Sequence, residues 1–240
     1  MAAGLLWAST GASAADFAGA GAAIPDNVPA GVNIPFSVSG IRPSVGRLRI
    51  TVNLTHTFVG DLRATLISPG GTARLVLFSR TGFKRNFNAG VFANFGGAYV
   101  FDDVAGADLW AATSGLNSQD VVPPGTYRTS TGGRLSLSNQ GGCATFLNRA
   151  FAGLSGGQVN GTWTLNVADV VVGDTGLVNS ALLSIDTFAE VLLTASRIPA
   201  PSAPRPRSPV AASKAISTTP AAVLPATWWS ATPAVAQAVR

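Results

Sequence analysis

The sequence predicts an all-β fold, a two-sheet sandwich or jelly roll with turn-rich connections. Three observations carry this. Only 11% of residues are charged, 27 are glycine, and a single Glu stands against ten Asp, so the chain is poor in what long amphipathic helices place on their faces. Val, Thr, Phe and Leu recur in short runs punctuated by Gly, Pro, Asn and Asp, the pattern of strands and tight turns. Within the runs apolar and polar residues alternate, which gives each strand one face for a core and one for water. That suits stacked antiparallel sheets better than a parallel sheet flanked by helices.

The 240 residues allow one sizeable domain with flanking segments. Residues 1–23 predict a signal-peptide-like leader and linker. A short apolar stretch ends in Ala12-Ser13-Ala14, a small-residue cleavage pattern, although no Lys or Arg precedes Leu5. Ala15 to Ala23 then reads as a small-residue linker. The patterned region spans 24–188, opening at Ile24-Pro25-Asp26. Residues 189–240 form a Pro- and Ala-rich tail whose proline density opposes both helix and sheet. No apolar run reaches the roughly 18 residues of a membrane span, so no spanning segment is expected.

The strands follow in order. Arg47 to Leu54 sets Leu48, Ile50, Val52 and Leu54 on one face. After a turn at Val59-Gly60-Asp61, Leu62, Ala64 and Leu66 repeat the pattern. Ser68-Pro69-Gly70-Gly71 is a strong turn signal, and Thr72 to Phe78 reads as the next strand. The stretch from Gly82 to Gly133 is less regular, with Phe83, Phe87, Phe92, Phe95, Tyr99 and Phe101 among Asn and Gly. Later, Trp163, Leu165 and Val167 share a face, Gly173-Asp174-Thr175-Gly176 turns the chain, and Ala181, Leu183 and Ile185 point inward from a closing strand.

The formal charge of +5 is not a nucleic-acid signal once located. Residues 24–190 hold 11 basic and 10 acidic side chains, and the excess lies in Arg197, Arg205, Arg207, Lys214 and Arg240 of the tail. Cys143 is the only cysteine, which excludes an intrachain disulfide and a cysteine-rich metal site.

Four segments now line up. They are Ile24-Pro25-Asp26; Leu54-Thr55-His56-Thr57-Phe58-Val59-Gly60-Asp61-Leu62 running on to Ser68-Pro69-Gly70-Gly71-Thr72; Phe101-Asp102-Asp103; and Asn160-Gly161-Thr162-Trp163-Thr164-Leu165-Asn166-Val167-Ala168-Asp169 followed by Gly173-Asp174-Thr175-Gly176. This order resembles the P (Homo B) domain that follows the catalytic domain in kexin- and furin-type proprotein convertases and in secreted bacterial subtilisin-like serine proteases. The resemblance covers about residues 24–188. It implies a jelly roll of about eight strands that packs on a subtilisin-like domain, supports that enzyme's folding and persistence, and influences its calcium and pH dependence. The catalytic domain itself has no counterpart in this sequence.

His56 is the only histidine, so any Ser-His-Asp arrangement has to use it. No serine stands in a Gly-x-Ser-x-Gly turn, which favours a structural histidine and no catalytic residue. Carboxylates near strand ends could gather at one end of a sandwich, where a hard cation would relieve their repulsion. Asp102 and Asp103 are the first calcium candidates, with Asp61 and Asp169 behind them; no contiguous calcium loop is present. Trp163 reads as core. Asn53-Leu54-Thr55 and Asn160-Gly161-Thr162 match the glycosylation acceptor pattern by chance, being in or beside strands.

The expected function is a secreted, non-catalytic module that binds or supports a subtilisin-like protease or another extracellular protein. Two alternatives stay open: a fragment of a subtilisin-like serine endopeptidase, and a carbohydrate- or surface-binding jelly roll, which exposed aromatics in the 82–133 loops would favour.

Overall fold

The computed structural model describes residues 13–42, 44–83, 89–130 and 143–187. The leader before Ser13, Phe87 and the tail from residue 188 lie outside the described residues.

Among the described residues eleven strands follow one another: β1 (Ser13–Gly19), β2 (Ala22–Ile24), β3 (Val32–Val38), β4 (Arg47–His56), β5 (Leu62–Ile67), β6 (Arg74–Ser79), β7 (Phe95–Phe101), β8 (Ala107–Asp108), β9 (Gly125–Arg128), β10 (Gly161–Asp169) and β11 (Gly176–Thr187). They form two sheets. The larger runs β1-β11-β4-β7-β9-β8, with β2 also on β11, and the smaller runs β3-β10-β5-β6. Two one-turn helices, α1 (Leu109–Ala112) and α2 (Leu147–Ala150), sit in the connections.

The alternation read from the sequence becomes the core. Leu48, Ile50, Val52 and Leu54 of β4 are fully buried, as are Trp163, Leu165 and Val167 of β10 and Leu183 and Ile185 of β11. Each such side chain contributes roughly 1.5–3 kcal/mol by leaving water. Phe78 lies 5.5 Å from Phe101 and 5.4 Å from Phe95, joining the two sheets. Trp163 packs 5.0 Å from Phe151, and its indole N–H donates to the Val159 carbonyl (2.7 Å), so its polar atom is satisfied in the core.

Several details depart from the sequence reading. The small-residue stretch before Ile24, expected as a linker, supplies β1 and β2, both paired antiparallel with β11. Backbone pairing with a neighbour is enough to hold an edge strand, so the usual alternation of large apolar residues is not needed. Gly19 lets β1 lie directly on the other sheet, since a Cβ there would meet Ile34 Cγ2 at 2.6 Å. The strand expected from Thr72 begins at Arg74, because the Thr72 hydroxyl closes the preceding turn onto the Pro69 carbonyl (3.2 Å). In the irregular 82–133 stretch, β9 runs parallel to both β7 and β8, a crossover that alternation alone does not reveal.

Candidate functional site

Parts of three family-like segments meet at one end of the sandwich: Ile24 and His56 pair with Gly176, and the Gly173 N–H donates to Asp26. β4 ends at His56, β10 ends at Asp169, and β11 starts at Gly176, paired with His56. The turn after His56 and the turn between Asp169 and Gly176 are thereby brought side by side.

His56 is the centre of this end. Its side chain and that of Asp169 are both fully buried, with Nε2 3.1 Å from Asp169 Oδ2. On the other side of the ring the Phe58 N–H donates to Nδ1 (3.1 Å). Nδ1 also lies 3.0 Å from the Phe58 carbonyl; with its proton on Nε2 the ring donates to Asp169 and accepts from the Phe58 N–H. The second Asp169 oxygen accepts from the Val171 N–H (3.0 Å). Both ring nitrogens are therefore engaged by the fold, and neither is left to take a proton from a nucleophile, as a triad histidine must. The ring also explains Gly176: a Cβ there would strike the imidazole Cδ2.

The Val59-Gly60-Asp61 turn is laced to the 89–93 segment. The Val59 N–H donates to the Ala93 carbonyl (2.8 Å) and the Gly60 N–H to the Val91 carbonyl (3.0 Å). Gly60 and Gly90 meet backbone to backbone, and a Cβ on Gly60 would strike Gly90. Only glycine fits that approach, which gives the Gly-Asp pair its physical reason. Asp61, also buried, has its carboxyl pushed up to about 6 by burial. The nearby Arg80 charge opposes this, while the Asp169 and Asp174 carboxylates and a hydrogen bond with Asp174 reinforce it.

A clasp joins the two family-like blocks. The Thr57 hydroxyl donates to Asp174 Oδ1 (2.7 Å) and accepts from the Thr175 N–H (3.2 Å), while the Thr57 N–H donates to the Thr175 carbonyl (3.2 Å). Beside it lies a shallow depression lined by Thr55, Thr57, Asn94, Thr175 and Leu177 together with His56, Phe95 and Gly176. Phe92, 46% exposed, packs edge-on against Phe58 at 4.9 Å.

The four calcium candidates do not meet at one site. Asp61 and Asp169 sit at the His56 end. Asp102 pairs with Arg47 at the start of β4 and accepts from the Val104 N–H (3.2 Å). β4 runs ten residues from Arg47 to His56, about 30 Å. Asp103 receives the N–H groups of Leu147 and Asn148 at the start of α2, so both carboxylates already serve protein partners. Among the described residues, no group of three or more His, Cys, Asp or Glu is placed to hold a metal ion.

Asn160, the second glycosylation-pattern asparagine, is engaged at both ends of its amide. It accepts from the Ile41 N–H (2.9 Å) and donates to the Ile41 carbonyl (3.0 Å). Cys143 is exposed. Sequence reasoning had Thr57 and Asp174 inside the family-like segments without joining them to each other, and it missed Asn94 and Arg80 at the His56 end. The Gly-Asp pair present in both blocks, Gly60-Asp61 and Gly173-Asp174, was the available signal. No helix among the described residues is long and apolar enough to cross a membrane.

Comparison with known proteins bears on this geometry. The family described as the proprotein convertase P-domain matches residues 45–96, which run from the approach to β4 through the His56 turn and into β7. No curated protein matches the chain. Two solved structures are similar in part. One is the serine protease of Aeromonas sobria in complex with a chaperone, at 16% identity and TM-score 0.40, covering 74% of this chain and 27% of that one. The other is the serine protease of Aeromonas sobria, at 18% identity and TM-score 0.38, covering 73% of this chain and 27% of that one. This chain thus spans 27% of the length of either protease chain. The turn that holds His56 and Asp61 thus lies inside the segment, residues 45–96, that matches the proprotein convertase P-domain family, in a chain folded as two packed sheets.

Proposed function

We propose that this chain is a secreted, non-catalytic P-domain module that binds a subtilisin-like serine endopeptidase and prolongs its active lifetime. The observation that carries this reading is the family match over residues 45–96. The engagement of both His56 nitrogens by Asp169 and Phe58 supports it, because the one histidine serves the fold and leaves association as the module's chemistry. Export rests on the small apolar leader and its small-residue pattern Ala12-Ser13-Ala14, of which Ser13 and Ala14 also begin β1, paired with Thr187 and Asp186.

The test is to add the full chain to a subtilisin-like endopeptidase catalytic domain expressed without a P-domain of its own. A saturable lengthening of the activity half-life at raised temperature is expected. An unchanged half-life at excess chain, with no binding by calorimetry, refutes the proposal. An in-frame subtilisin domain upstream in the gene would make the same support intramolecular, as the fragment reading has it.

One observation favours a second reading. Exposed Phe92 stands at the end of the sandwich that carries the hydroxyl-lined depression of Thr55, Thr57 and Thr175, a combination suited to a sugar ring. Saturable binding on a glycan array, abolished by Phe92→Ala, would establish it.

A further inference from the structure

We draw no further inference here: the strongest candidate, the surface patch of exposed apolar side chains Phe92, Val172 and Leu177 around the His56 end of the sandwich, carries nothing because nothing in the structure shows what covers it.

Discussion

Consider the removal of the buried His56–Asp169 pair one partner at a time. Both side chains are fully buried with Nε2 and Oδ2 3.1 Å apart, so neither can turn to water when the other is lost. His56→Ala leaves the Asp169 carboxylate with the Val171 N–H as its remaining hydrogen bond. It also leaves the Phe58 N–H without its acceptor and opens a void the size of the ring. Breaking a buried pair in this way costs about 3–5 kcal/mol, a large part of the roughly 5–15 kcal/mol that holds a domain folded. Asp169→Ala strands the Nε2–H and the Val171 N–H and costs a comparable amount. The double variant loses both groups and strands only backbone N–H groups, so its cost falls short of the sum by about 1.5–3 kcal/mol. Urea unfolding followed by the fluorescence of buried Trp163 reads all four corners of the cycle. A coupling below about 0.5 kcal/mol would refute the reasoning and return His56 to candidacy for a chemical role.

Three further outcomes follow from the same geometry. The Asp61 carboxyl, raised to about 6 from its ordinary 3.8, holds its proton more tightly folded than unfolded. It therefore favours the fold below about pH 4, and that contribution is lost as pH rises through about 6. The Tm of Asp61→Asn relative to the parent should climb between those values, and a flat difference would count against burial as the cause. Gly176→Ala presses a methyl into the His56 ring and the Thr55 carbonyl oxygen and should lower stability by about 1–3 kcal/mol in urea titration, with the loss only partly relieved in a His56→Ala background, where the carbonyl clash remains. Asp103→Ala removes the acceptor of two N–H groups at the start of α2. It should cost about 1–2 kcal/mol by thermal unfolding in chelator and millimolar calcium alike, since its oxygens serve amides; rescue by calcium would reinstate Asp103 as a ligand.

How far the sequence reached can be read residue by residue. Period-two alternation alone marks Leu48 to Leu54, Trp163 to Val167 and Ala181 to Ile185 as core, because burial on one face of a strand is a local property. The turn residues, including Gly70 and Gly71 at φ 66° and 69°, are legible for the same reason: backbone preference belongs to the residue itself. Pairing between distant segments is not local. Nothing near Gly60 shows that Gly90 will lie against it, and nothing near Thr57 announces Asp174. The four candidate aspartates look alike in the sequence. The length and direction of β4 part them, with Asp102 and Asp103 at one end and Asp61 and Asp169 at the other. The alanine-rich β1 has almost no pattern of its own, and only β11 beside it and Ile34 and Phe36 beneath it make a strand of it. Composition and alternation thus determine that the chain is a sandwich and which faces it buries. Which turns meet, and so what His56 can and cannot do, is decided by long-range strand order, because hydrogen-bond partners become defined only once the sheets have closed.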